Sequence, residues 1–148
     1  MKRFLYTLCA FWGLSVSVSA LDREAFTFTK YDLEVRIEPE QQRLGVRGKI
    51  TLRNDSSTQQ RHAVLQISSS LTWRSIRIAG KPVDFITQTY TSDIDHTGAL
   101  SEAIVNLPDE AAPKSVVELE VGYEGTIPLD ATRLTRIGVP EETAKHTD

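Results

Sequence analysis

Tyr31 to Asn54 reads YDLEVRIEPEQQRLGVRGKITLRN, and this stretch decides the fold. Tyr31, Leu33, Val35 and Ile37 alternate with Asp32, Glu34, Arg36 and Glu38. After the polar break PEQQR the alternation resumes, with Leu44, Val46, Gly48, Ile50 and Leu52 set against Gly45, Arg47, Lys49, Thr51 and Arg53. Successive side chains on a strand point to opposite faces, so each arm carries one apolar and one charged face. A helix would need apolar residues three and four apart, and that spacing is absent. The short break predicts two antiparallel strands joined as a hairpin.

Moving toward the N-terminus, Phe26 and Phe28 alternate with Thr27 and Thr29, which extends the first strand into its lead-in. Residues 1–20 have a different character. Lys2 and Arg3 precede a mostly apolar run, Phe4 to Val18, that ends in Ser17-Val18-Ser19-Ala20. A basic start, an apolar centre and small residues at the end make a secretory signal peptide, cut after Ala20. The run is short and broken by serines for a membrane span. An uncleaved N-terminal anchor is the alternative. The sole cysteine, Cys9, lies in this segment. The mature chain then has no thiol for a disulfide or a cysteine metal site. Export places the protein in the periplasm or outside the cell.

Toward the C-terminus the same two-residue period returns. Asn54-Asp55-Ser56-Ser57 is turn chemistry, a better account of the match to a glycosylation acceptor. His62–Ser68 and Leu71–Ala79 are the next strands. In the latter, Leu71 and Trp73 share a phase that Ile76 and Ile78 do not, which predicts a bulge. Gly80-Lys81-Pro82 reads as a turn and Val83–Tyr90 as a weaker strand. SDIDHTG, residues 92–98, is a polar loop. Ala99–Leu107 is a strand closed by Pro108, and DEAAPK, residues 109–114, is a loop. Ser115–Ile127 is a clear strand with Val117, Leu119, Val121 and Tyr123 on one side. Beyond it Leu134, Ile137 and Val139 are candidates to pack on a sheet edge, and Glu141–Lys145 follows Pro140 as one helical turn. About seven short strands with turn signals between them predict an all-β protein, an antiparallel sandwich or a strongly curved sheet. The divisions are a signal peptide over 1–20, a β-sandwich domain over 21–128, and an irregular tail over 129–148 that reads as truncated.

Composition agrees with a soluble globular domain. Apolar residues are 40% and charged residues 25% of the 148, which excludes a disordered or disulfide-stapled chain. The net charge of −3 argues against nucleic acid as a partner, which requires clustered positive charge. Losing Lys2 and Arg3 makes that charge more negative. Arg36, Arg47 and Arg53 keep a strand face wet.

The chemistry-bearing residues do not form a motif. His62, His96 and His146 are far apart, and zinc needs three or four convergent ligands. Asp93, Asp95 and His96 sit in one loop but lack the further oxygens a calcium loop uses. Glu118, Glu120 and Glu124 share a strand face and are read as solvated. Trp73 and Tyr90 are candidates for a sugar- or peptide-binding surface, although Trp73, in phase with Leu71, reads as core. No catalytic, cofactor-binding or metal residue is assigned.

Three segments in order resemble the N-terminal β-domain of the aminopeptidase N family of zinc metallopeptidases. The hairpin resembles the family's Tyr-x-Leu strand, turn and glycine-bearing strand ending near Asn. LQISSSLTWRSIRIAGKPVDF resembles a Leu-x-Ile strand followed by a strand leading to Gly80 and Lys81. VELEVGYEGTI resembles a strand ending in Tyr-x-Gly-x-Ile, here Tyr123, Gly125 and Ile127. The resemblance spans residues 26–128 and implies a non-catalytic β-domain of an exported aminopeptidase-like protein. Its partner would be a metallopeptidase catalytic domain absent from this chain, with zinc in that domain, none here, and peptide as a further partner. The chain after Ile127 departs from the family's continuation, so no functional residue carries over. A rival reading is a free-standing exported β-sandwich that binds peptide, glycan or a partner protein.

Overall fold

The structure is a computed structural model that describes residues 21–95, 97–127, 135 and 138–145. The signal expected over residues 1–20 lies outside them, as do His96, His146, Leu134 and Ile137.

The hairpin forms as its alternation requires. Strand β1 (Phe26–Glu38) and β2 (Arg43–Asn54) pair antiparallel across a 3-10 turn, Pro39–Gln41. Pro39 fixes the backbone at the start of that turn, and Gln42 reverses the chain at φ 52, its N–H donating to the Pro39 carbonyl at 2.9 Å. The register sets Tyr31 beside Ile50, Leu33 beside Gly48, Val35 beside Val46 and Ile37 beside Leu44. Paired residues share a face, so the two apolar rows become one surface. A register shift between Phe28 and Lys30 makes Thr29 the extra residue of a bulge.

Six further strands follow: β3 (Gln60–Ser68), β4 (Leu71–Ile78), β5 (Lys81–Pro82), β6 (Phe85–Thr91), β7 (Ala99–Ala111) and β8 (Val116–Thr126). They make two antiparallel sheets, a five-stranded one in the order β1-β2-β8-β4-β5 and a three-stranded one in the order β3-β7-β6. The inner faces meet in one core that includes Ile50, Leu52, Leu65, Trp73, Ile76, Val105, Leu119 and Val121. Burying each of these large side chains contributes about 1.5–3 kcal/mol. Short helix α1 (Glu141–Lys145) follows Pro140, where a helical turn was expected. Among the described residues no helix is long and apolar enough to cross a membrane.

The phase slip in β4 is real: the ladder with β8 shifts between Trp73 and Ser75. Two expectations need correction. Lys81–Pro82 is a short edge strand paired with Arg77 and Ile78 rather than part of the turn. The turn is Ala79-Gly80, at φ 50 and 75, and proline is tolerated because β5 has no neighbour on its far side among the described residues. Likewise β7 does not stop at Pro108 but runs to Ala111. Its ladder with β6 ends at Val105, and its register with β3 jumps between Asn106 and Ala111. Pro108 therefore falls where no regular ladder bond is required of it.

Two glycines are needed for close approach. A Cβ on Gly125 would stand 2.2 Å from the Ser70 carbonyl oxygen and 2.9 Å from Leu71 Cα. The Tyr-x-Gly-x-Ile pattern thus marks the point where β8 passes under the turn between β3 and β4. Gly48, at φ 149, would carry its Cβ 2.2 Å from the Asp32 carbonyl oxygen.

Candidate functional site

The outward face of the five-stranded sheet is charged because the polar halves of four alternating strands come to lie side by side. Asp32, Lys49, Glu120 and Arg77 form one row across β1, β2, β8 and β4. Glu34, Arg47, Gly122 and Ser75 form the next, and Arg36, Gly45, Glu124 and Thr72 the one after. Gly45 and Gly122 withdraw side chains from the middle of this surface. The result is an open hollow of about 1200 Å³.

Its charges are mostly matched across strands. Glu124 accepts from Arg43 Nη2 at 2.5 Å and from Arg74 Nε at 3.0 Å. The Arg43 bond, above all, holds the Glu124 carboxyl below its usual range. Lys49 Nζ donates to Glu118 at 2.8 Å, which raises the affinity of that ammonium for its proton. Arg74 is the extra residue of the β4 bulge, so the bulge supplies one of the two clamps on Glu124. Arg47 and Arg77 make no ion pair among the described residues. Ser75 has no base hydrogen-bonded to it, so the hollow carries no activated nucleophile among the described residues.

Other residues singled out from the sequence are scattered. His62 is exposed on β3. Asp95 accepts from the Thr97 N–H at 2.9 Å and from its hydroxyl at 2.5 Å, as a turn carboxylate does. Among the described residues no group of three His, Cys, Asp or Glu side chains is placed to hold a metal ion. Trp73 is buried, its indole N–H donating to the Ser101 carbonyl at 3.2 Å, with Tyr123 edge-on at 5.2 Å. It is core and no part of a sugar-binding surface. Tyr90 remains 39% exposed, but the Arg23 guanidinium lies over its ring at 5.3 Å.

Two polar residues are buried although nothing in the sequence pattern marks them as such. Glu102 points to the outward face of the three-stranded sheet yet is 0% exposed. Arg23 reaches it with two bonds of 2.9 and 3.0 Å, and Gln66 and Gln88 on the flanking strands donate at 2.9 and 2.7 Å. Burial pushes its pKa up, but these donors outweigh that and hold the carboxyl below its ordinary value. Asn54 is also 0% exposed. Its Nδ2 donates to the carbonyls of Thr58 and Ala111, and its Oδ1 accepts from the Ser56 N–H and hydroxyl. It ties the end of β2 to β7, and it is no glycan acceptor in this fold.

An apolar surface is also left uncovered. Tyr31, Val35 and Ile37 lie on the core-facing side of β1 but are 61%, 53% and 68% exposed. Leu33 packs against the core, whereas these three do not join it.

These observations define a two-sheet antiparallel β-sandwich with a charged concave outer surface and no metal centre among its described residues. No family model and no curated protein matches the sequence. Solved structures match its fold. An M1 zinc metallopeptidase from Deinococcus radiodurans superposes with a TM-score of 0.53 at 20% identity, over 75% of this chain and 23% of that one. A variant of it bound to a Tyr-Ser-Ala substrate gives 0.53 at 18% identity, over 72% and 22%. A two-domain M1 zinc metallopeptidase bound to L-arginine gives 0.53 at 20% identity, over 73% and 22%. The chain thus spans about a fifth of the length of these proteins, and the part it matches is their N-terminal region. The fold implied by the three ordered segments is the fold found.

Proposed function

We propose that this chain is the non-catalytic N-terminal β-domain of an exported zinc metallo-aminopeptidase-like protein, packing against a peptidase domain and helping to wall its cleft. The carrying observation is the likeness in fold to the N-terminal region of M1 zinc metallopeptidases. In such a protein the metal, held by the other domain, activates water and polarises the scissile carbonyl. The present residues would supply a wall and a rigid support. The signal-like residues 1–20 support export to the periplasm or the exterior.

Incubating the purified chain with aminoacyl-anilides, with and without zinc, should release no amino acid. Zinc-dependent turnover by this chain would sink the proposal. A reading frame that continues past codon 148 into an HExxH segment would support it. The charged hollow favours a second reading, a free-standing module that binds a peptide, glycan or partner protein through Arg47 and Arg77. Saturable shifts of the Gly45 and Gly122 amide resonances on titration with short peptides would favour it.

A further inference from the structure

The outer edge of β1 is a long strand edge with no neighbour among the described residues. Natural edges are blunted by a bulge, a proline or a charge pointing inward. From Lys30 to Glu38 the ladder with β2 runs without a shift, and no proline interrupts it. The bulge at Thr29 falls before this span. The inward row is Tyr31, Leu33, Val35 and Ile37, apolar throughout and mostly exposed. Such an edge is a template for another strand, and its charges say which one.

We infer that β1 pairs antiparallel with β1 of a second copy of this chain, about a two-fold axis at Glu34. In that register Lys30 stands opposite Glu38 of the other copy, and Asp32 opposite Arg36. By symmetry each of these pairs occurs twice. On the inward side Tyr31 meets Ile37 and Leu33 meets Val35, so the two uncovered apolar rows cover each other. The neighbouring registers are worse. An axis at Leu33 sets Asp32 against Glu34 and Lys30 against Arg36. An axis at Val35 sets Glu34 against Arg36 but Asp32 against Glu38, so its favourable pairs are offset by as many unfavourable ones. A slip by one residue turns apolar side chains toward charged ones. The chosen register has one unfavourable contact, Glu34 against its own copy. It also replaces the exposed Arg36–Glu38 pair within β1, 2.7 Å apart, which contributes little to the monomer. The result is a continuous sheet across two copies, with both charged hollows on its outer surface.

The test is sedimentation velocity of the full chain over a dilution series, with Asp32→Arg, Arg36→Asp, their equimolar mixture and the double variant. Wild type should associate reversibly to a dimer. Each single variant places like charges opposite one another twice and should weaken the dimer about tenfold or more. Mixing the two single variants restores opposite charges at both positions, as does combining the substitutions in one chain, so both samples should recover wild-type association. Unchanged far-ultraviolet spectra of the variants, whose altered side chains are exposed, control for folding. A wild type that stays monomeric overturns the inference. So does a dimer indifferent to the single substitutions, as association through residues 1–20 would be, or a mixture that fails to recover.

Discussion

The two arms of one hairpin carry the same alternation and meet opposite fates. On β2, Val46, Ile50 and Leu52 are 7%, 5% and 0% exposed. On β1, their neighbours Val35 and Tyr31 are more than half exposed, and Ile37, beside Leu44, more so still. Both arms point these side chains to the same side of the same sheet. What differs is position in the sheet: β2 lies between two strands and its apolar side chains join the core shared with β3 and β7, whereas β1 is the edge. A period of two decides which way a side chain points. It does not decide whether anything stands opposite.

The sharpest way to test this contrast is to truncate equivalent positions. Leu52→Ala, in the fully buried core, should destabilise by about 3 kcal/mol in urea unfolding, through lost transfer energy and a residual cavity. A loss below about 1 kcal/mol would mean the two sheets are not packed as described. Next in size is Asn54→Ala. It takes the Nδ2 donor from the Ala111 carbonyl and the acceptor from the Ser56 N–H, while the Thr58 carbonyl keeps the Ser56 hydroxyl, for about 2 kcal/mol. Asn54→Asp should be as costly, since a carboxylate accepts where Nδ2 donates. Equal stability of either variant to wild type would show the tie to be dispensable.

Glu102 is the converse of Ile37, a charged residue on an outward face that is nonetheless covered. Its folded pKa lies below its unfolded one, so folding favours the ionised form. The stability it contributes is full above the unfolded value of about 4.3 and is lost as pH falls through the lower folded value. Glu102→Gln should therefore flatten the fall in melting temperature with pH below about pH 4, while Arg23→Ala exposes the carboxyl and steepens no part of it. An identical pH profile for Glu102→Gln would remove the carboxylate from the account of acid stability. The smallest effect belongs to the uncovered arm. Ile37→Ala should change the stability of the monomer by no more than about 0.5 kcal/mol, measured at high dilution. A core-sized loss would show that Ile37 is covered after all.

How much was legible follows the same division. The hairpin, the bulge at Trp73, the core position of Trp73 and the strand at Ser115–Ile127 could be read directly, because strand geometry leaves its period in the sequence. The motif glycine Gly125 was visible as a pattern, but the carbonyl of Ser70 that excludes a side chain there was not. Glu102 looked like any outward charge between Ser101 and Ala103. Its donors come from β3, β6 and the segment before β1, as many as 79 residues away in sequence. Pro108 looked like a strand end because a proline removes a ladder bond; whether that bond was needed depended on where β6 stopped.

Alternation along the chain established an all-β protein, the sides of its strands and most of its turns, since these depend on each residue and its immediate neighbours. Assembly of the sheets decided the rest: that Glu102 is buried, that Gly45 and Gly122 open a hollow between charged rows, and that Ile37 stays exposed. Burial is a relation between segments distant in sequence, and it arises only when the two sheets close on one another.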